Sequence, residues 1–429
     1  METLSELLKI LKTLPLGNVY KKTINGKTYY YHQYFYNGQR ISNIVKKEEL
    51  KDLKEKISKR IEIERKIKSI KLKKVTLSKK ANELTGYVMS GNNVVAKYEK
   101  GNLVDLNKDL CPLIIKRTGS LEKFLKLRIM DMSRTNARIL KKILNINVEE
   151  DYKTSLYSYA LSISDNYWFK PKGSKLKYKD VDFDNDSLFE TALKGEVNVF
   201  YNKAHLSPEL TTVGSFEKGW RYLNKKWWLY KSGNDKQLFS ELFCSKFAKL
   251  IGIDSVSYEL ENGYIKSQNF SNRYNFEPIA ALVDDNDSYE TVFNTLFDID
   301  RRIAKDYLKL IFFDSVVNNV DRHTENMGIL RDSQSGKILS LAPNFDNNLA
   351  LIATVDILNA PTKDGLIKLF VNFINKNQNA EELFKSLTFE TINFEQIKNI
   401  IDEIPLKIDN SNQLCNSLLE RYNYLKSLI

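Results

Sequence analysis

The sequence predicts an α+β fold, with a mixed body of sheets and helices preceded by a small β-ribbon and one long helix. Three observations carry this. Asn-Gly pairs punctuate β-forming runs near the start of the chain, short strand-like and helical stretches alternate through the middle, and from about residue 288 the pattern is mainly helical. A length of 429 residues suggests two to four domains, and only 17 Gly and 8 Pro exclude a collagen-like or low-complexity architecture.

The ribbon comes first. Gly17–Arg40 reads GNVYKKTINGKTYYYHQYFYNGQR, in which Asn25-Gly26 and Asn37-Gly38 are hairpin-turn signals. The spacing predicts three antiparallel strands over 19–24, 27–36 and 39–45. A charged helix is expected from Glu48 to about Lys73, with its apolar stripe at Leu50, Leu53, Ile57, Ile61, Ile67 and Ile70. The formal charge of +12 is concentrated here: residues 1–80 hold 21 Lys/Arg against 8 Asp/Glu, and the rest of the chain is nearly balanced. A small sheet bearing Lys21, Lys22, Lys27, Arg40 and several Tyr, followed by a basic helix, suits a nucleic-acid backbone, DNA or RNA. It resembles the three-stranded arm-binding domains of tyrosine recombinases. A solvated helix in a Lys-rich chain is the plainer alternative.

Other classes are excluded by what the chain lacks. Cys111, Cys244 and Cys415 are too far apart for a disulfide framework or a Cys-rich zinc site, which points to a reducing compartment. His32, His205 and His323 have no helical metal-ligand spacing. The first residues have no signal-peptide core. The best apolar run, Leu308–Val317, is too short for a membrane span and contains Lys309 and Asp314. A soluble, cytoplasmic protein is expected. GXSXG, CXXC and the Walker phosphate loop are absent.

In the middle of the chain, a β-meander with an Asn92-Asn93 turn is expected over 84–110, then helices over 119–130, 133–145 (N-capped by Ser133) and 151–163. Four features then follow in order. TTVGSFEKGW at 211–220 offers Gly214, Ser215 and Lys218 as a turn able to approach phosphate oxygens. KKWWLYKSG ends an apolar strand on Lys231, placed as a phosphate-binding point charge. A helix over 237–251, stopped by Gly252, carries Leu238, Phe239, Leu242, Phe243, Phe247 and Leu250 on its apolar face. It holds Glu241 ten residues after Lys231, either as the carboxylate that positions the lysine or as a solvated first-turn residue. The fourth feature is FFDSVVNNVDRHTENMGIL at 312–330, where a helix over 299–317 feeds a polar turn with Asp321, Arg322, His323 and Asn326. Asp321 and Asn326 have the D-x4-N spacing of a kinase catalytic loop, and LAPNFDNNLAL places Asp346 twenty residues further on. One Asp with one Asn is the kind of sparse hard-oxygen set that Mg²⁺ takes together with substrate phosphates.

On TTVGSFEK, the LYKSG lysine, NNVDRHTEN and APNFD, in that order, the chain resembles the HipA-like serine/threonine kinases over roughly residues 80–429. The resemblance implies a two-lobed protein-kinase-like fold, with a subdomain over 81–205, an N-lobe over 206–285, a helical C-lobe over 286–429 and residues 1–80 as an extension outside it. It implies ATP and Mg²⁺ as cofactors, Asp321 as the catalytic residue, Asn326 and Asp346 as metal ligands, and Lys231 on the ATP phosphates. Thr211 stands at the start of the family's S-x-x-G loop, so Thr211, or Ser215, is the expected autophosphorylation site. The family's partners imply a protein substrate, such as an aminoacyl-tRNA synthetase or other translation component, and an antitoxin. NFD in place of DFG and DRH in place of HRD depart from eukaryotic-type kinases. A nucleic-acid-binding regulator with an inactive body, and a kinase acting on a lipid or small-molecule hydroxyl, are the rival readings.

Overall fold

The computed structural model describes residues 7, 10–11, 13–24, 27–36, 39–74, 84–131, 134–143, 151–197, 206–212, 214, 216–271, 274–355 and 357–428. The chain divides into two compact units, Met1–Leu84 and Thr85–Ile429. Among the described residues no helix is long and apolar enough to cross a membrane.

In the first unit, β1 (Asn18–Ile24), β2 (Lys27–Tyr36) and β3 (Gln39–Val45) form an antiparallel sheet in chain order, within one residue of the predicted strands. The two Asn-Gly pairs lie outside the described residues. Helix α1 (Leu50–Lys74) packs on one face, where Lys54 stands 5.7 Å from the Tyr30 ring centroid. The predicted stripe is met at Ile57, which is buried, whereas Leu50, Leu53 and Ile61 stay half-buried. The side chains of Ile67 and Ile70 are outside the described set. Ile63, which the stripe omitted, is buried against Leu7, Ile10, Leu11 and Leu14. The reason is that Arg60 donates to the carbonyls of Leu11 and Leu14, at 2.8 and 2.7 Å, and fastens the leading segment over that side of the helix.

The second unit opens with a sheet of order β6-β5-β4-β7, from β4 (Gly86–Ser90), β5 (Asn93–Glu99), β6 (Asn102–Val104) and β7 (Tyr167–Pro171). The predicted meander is present, but its turn is Gly91-Asn92, because Gly91 takes a left-handed φ of +56° that suits a tight hairpin. Between β6 and β7 lie α2 (Leu113–Thr118), which was not predicted, and α3 (Leu121–Lys126), which is shorter than the predicted helix over 119–130. Gly119 ends the first in the left-handed region, and the Ser120 side chain caps the second by accepting from the Lys123 N–H. Helix α4 spans Ala137–Ile143, and its predicted cap Ser133 lies outside the described residues. The predicted helix over 151–163 is instead a 3₁₀ segment over Asp151–Ser158. A short helix α5 (Phe189–Lys194) follows.

The next sheet has order β10-β11-β9-β8, from β8 (Lys218–Leu223), β9 (Lys226–Lys231), β10 (Glu259–Glu261) and β11 (Tyr264–Gln268). Helix α6 (Asp235–Leu250) connects β9 to β10. Asn234 and Gln237 form a reciprocal capping box at its start, and Gly252 (φ +77°) follows its last turn. Phenylalanines four residues apart share one helical face. Phe239, Phe243 and Phe247 accordingly stack at 5.8 and 5.5 Å, and Phe247 reaches Phe313 at 6.3 Å.

A third sheet, β12 (Tyr274–Pro278), β13 (Gly328–Asp332) and β14 (Ile338–Leu341), is antiparallel in that order. Buried Glu277 accepts from Arg331 at 2.5 Å, from the Tyr167 hydroxyl at 3.0 Å and from the Leu113 N–H at 2.6 Å, so one carboxylate ties β12 to β13, β7 and the start of α2. A Cβ on Gly328 would collide with the Phe276 ring and the Glu277 carbonyl across the pairing.

The remainder is helical: α7 (Tyr289–Ile299), α8 (Arg301–Val317), α9 (Gly365–Lys376), α10 (Gln378–Lys385), α11 (Phe394–Asp402) and α12 (Ser411–Lys426). Helix α8 is buried on almost every side over its last two turns, so it is the central element. Its end carbonyls at Ser315 and Val316 accept from fully buried Arg421 of α12, which also pairs with Asp364, the N-cap of α9, at 2.7 Å. The architecture is α+β, as the sequence predicts.

Candidate active site

Lys231 is the last residue of β9, and its side chain is buried. An isolated ammonium there would be costly, so it needs anionic partners. Two carboxylates supply them: Glu241 Oε1 and Asp346 Oδ1, each 2.7 Å from Lys231 Nζ. Glu241 is fully buried on α6 rather than solvated, and its second oxygen accepts from the Asn347 N–H at 2.9 Å. Burial alone would lower the Lys231 pKa, but Asp346 and Glu241 outweigh it and hold the amine well above its ordinary value. Burial would likewise raise Asp346, and Lys231 with Lys218 hold its carboxyl below the usual carboxylate range.

Asp346 adopts a left-handed backbone (φ +60°), a conformation that Asp tolerates and that here turns its side chain towards Lys231. What fixes the surrounding turns is Arg322. Its guanidinium pairs with Asp314 of α8 at 2.9 and 3.0 Å and donates to the carbonyls of Asn326 and Phe345 at 2.6 and 2.8 Å. It also donates to the Asn344 and Asn347 side chains at 2.7 and 2.9 Å. One buried fork therefore joins the helix end, the 321–326 turn and the 344–347 segment. The sequence reading quoted Arg322 without a role and missed Asp314. The signal was an acid inside the apolar run IFFDSVV, a position that only a buried partner sustains.

Helix α8 stops at Asn318 in the left-handed region, which brings the chain round to Asp321. Asn319 Oδ1 accepts from the Asp321 N–H at 3.2 Å, and the Asn326 amide donates to the Asp321 carbonyl at 3.0 Å. Asp321 is half-buried, and this burial raises its pKa, with nearby Asp346 adding to the rise and His323 opposing it.

The TTVGSFEKGW segment lies partly outside the described residues, Ser215 among the missing. Thr211 ends a 3₁₀ turn over Pro208–Thr211; it is buried, and its hydroxyl points at the Pro208 carbonyl at 3.4 Å. Glu209 in that turn is fully buried, accepting from the Trp220 N–H at 2.6 Å and from Arg134 at 3.1 Å, and burial pushes its carboxyl up to about 7. Arg134 also donates to the Lys218 carbonyl. Neither member of this pair was anticipated.

Lys218 is buried, yet its ammonium has no hydrogen-bond or ion-pair partner among the described residues. Burial pushes its pKa down to about 8, against the pull of Asp346. Gly214 passes directly over it (φ +100°), and a Cβ there would collide with the amine. Thr211, Gly214, Lys218, Lys231, Asp321, Asn326 and Asp346 all line one cavity of about 260 Å³, whose walls include Phe216, Leu229, Val256, Tyr258 and Phe345. Glu241 stands behind Lys231 and outside that lining.

A buried cation with no ion-pair partner among the described residues, crossed by a glycine whose missing side chain leaves the amine its space, fits phosphate oxygens. Among the described residues no three His, Cys, Asp or Glu gather as a metal cage. Asp321, Asn326 and Asp346 also line the cavity, and their carboxylate and amide oxygens are of the hard type that Mg²⁺ takes together with phosphates.

No model of a protein family matches the sequence, and no curated protein matches it. Two of the solved structures that are similar to the chain are a toxin–antitoxin protein and a kinase. One is HipA in a toxin–antitoxin complex of HipA, HipB and operator DNA from Shewanella oneidensis MR-1, 14% identical, covering 79% of this chain and 97% of that one at a TM-score of 0.49. The other is the proinflammatory kinase CtkA of Helicobacter pylori, 16% identical, covering 50% of this chain and 90% of that one at a TM-score of 0.40.

Proposed function

We propose that this protein is an ATP- and Mg²⁺-dependent protein kinase of two-lobed, HipA-like type, transferring phosphate to a Ser or Thr hydroxyl. The observation that carries the reading is the buried Lys231–Glu241 pair, which meets Asp346 beside the Asp321/Asn326 turn in one cavity. Lysine held by a helix carboxylate next to two further carboxylates is an arrangement suited to phosphoryl transfer, where positioning and charge neutralisation do most of the chemistry.

In this reading Lys231 and Lys218 bind nucleotide phosphates, and Gly214 lets the backbone approach them. Glu241 holds Lys231 extended. Bound Mg²⁺, held by Asn326 and Asp346, would neutralise phosphate charge. Asp321 orients the acceptor hydroxyl and takes its proton, a role suited to a half-buried carboxylate whose pKa is raised. Arg322 keeps the two acidic turns in register. The apolar and aromatic wall from Phe216 to Phe345 offers a place for the base. Thr211, buried in its 3₁₀ turn, must leave it before it accepts phosphate in autophosphorylation, and Ser215 is the other candidate acceptor. A toxin-type or stress-response role, an antitoxin and a translation-related substrate follow from the sequence resemblance and rest on it.

The test is intact-mass spectrometry after incubation with Mg²⁺ and ATP, with Asp321→Ala in parallel. A phosphate adduct on the wild-type chain that is missing from the variant supports the assignment. Wild-type chain that neither binds ATP nor transfers phosphate to any protein acceptor refutes it.

A further inference from the structure

The sheet of the first unit has two faces, and among the described residues only one is covered. Strand register sets them apart: Tyr30 is opposite Lys21 and Val45, and this row faces α1. Alternation then sends Tyr20, Tyr31 and Ile44, which are opposite one another, to the other side, with Lys22 and Tyr29 as the next row. Arg40 lies on the same side, donating to Gln33 at 2.6 Å. This outer face is open: Tyr20 is 42% exposed, Tyr29 36% and Ile44 66%. Large apolar and aromatic groups left uncovered in neighbouring rows of a short sheet mark a binding surface.

Charge selects the partner. From Leu7 to Lys47 the chain has eight Lys/Arg and no Asp or Glu, so nothing on these strands opposes an anion. The geometry narrows it further. Tyr20 and Tyr31 stand side by side across two strands, and Tyr29 lies two residues along, about 7 Å away at strand rise. Flat rings at such spacing, flanked by cations, suit bases splayed from a backbone. A stacked duplex hides its base faces, and a membrane surface wants aliphatic projections, whereas the described side chains of this face are mainly aromatic, polar and basic.

We infer that the outer face of the β1–β3 sheet binds single-stranded nucleic acid, with bases stacked on Tyr20, Tyr29 and Tyr31 and phosphates held by Lys22 and Arg40. Stacking reads neither the sugar nor a base edge, so RNA and DNA single strands of mixed sequence bind alike. This is independent of the phosphotransfer reading and stands if that reading fails.

The experiment is fluorescence anisotropy with the full chain and a labelled 20-nucleotide single strand, as RNA and as DNA, across a salt series (the length is about the upper end of one small binding site). The same strand as a duplex and anionic vesicles serve as competitors. Expected are single-strand binding that weakens with salt, at least tenfold loss in Tyr20→Ala/Tyr31→Ala, and retained affinity in Tyr20→Phe/Tyr31→Phe, as stacking contributions of about tenfold per base imply. Lys22→Ala/Arg40→Ala lowers the salt slope by about 1.4, at about 0.7 per lost phosphate contact. Tighter binding to the duplex, displacement by vesicles but not by oligonucleotide, no binding at all, or unaltered binding by the Tyr→Ala variant would each overturn the proposal.

Discussion

At the scale of single residues, the cavity is a problem in buried charge. Lys231 is stable where it is because two carboxylates face it, and removing the amine leaves Glu241 buried and unpaired. Lys231→Met therefore lowers unfolding free energy by about 3 kcal/mol, the low end for breaking a buried pair, measured by chemical denaturation. Asp321 bears no comparable structural load. Asp321→Ala keeps ATP binding and stability and lowers phosphate transfer by about 10²-fold or more, measured by single-turnover kinetics. Lys218 is the pH-sensitive member. With its pKa pushed down to about 8, it is charged below that pH and neutral above it, so ATP affinity falls as pH rises beyond about 8. Titration calorimetry from pH 7 to 9.5 checks this, and Lys218→Met removes the dependence. The effect on stability has the opposite sign. Between about 8 and the ordinary lysine value of about 10.4 the unfolded chain binds more protons, so this group makes stability rise with pH there. Sequence spacing was enough to single out Lys231, Glu241, Asp321, Asn326 and Asp346 as candidates. It gave no sign that Lys218 is buried with no ion-pair partner among the described residues, because burial depends on strands and turns far from it in the chain.

Among the elements, periodicity was legible and termination less so. Strands β1–β3, helix α6 and the helical final third follow patterns written in local chemistry: Asn-Gly pairs in the sequence, a capping box at Asn234 and Gln237, and Phe residues four apart. Where the sequence reading extended an element too far, a local feature ended it. The expected 119–130 helix starts only at Leu121, after the Ser120 cap, and ends at Lys126, and the run over 151–158 tightens to 3₁₀. Ile63 replaced the predicted stripe because a distant segment, held by Arg60, covers that side of α1. Helix ends also depend on remote partners. Arg421 serves the last carbonyls of α8 while balancing Asp364. Arg421→Met leaves that carboxylate buried and alone, and unfolding of the full chain should become easier by about 3 kcal/mol, read from the urea midpoint at constant slope.

For the molecule as a whole, the two compact units carry different chemistry. The cavity residues all belong to Thr85–Ile429, and the basic sheet belongs to Met1–Leu84. A chain trimmed to residues 85–429 is expected to unfold cooperatively and to bind ATP within about twofold of the full protein, since every proposed nucleotide contact lies inside that unit. Thermal unfolding followed by calorimetric ATP titration checks it; loss of binding in a folded fragment would show that the first unit contributes to the site.

The sequence by itself determined the strand and helix periods, the concentration of positive charge in the first 80 residues and the order of the Lys, Glu, Asp, Asn and Asp candidates, because each is written in residue type and local spacing. Only the tertiary structure decided which charges are buried together: Lys231 between Glu241 and Asp346, Arg322 with Asp314, Arg134 with Glu209, and Lys218 with no ion-pair partner among the described residues. These partners stand 8 to 115 positions apart in the chain, and a charge becomes costly enough to demand a partner only when folding has taken water away from it.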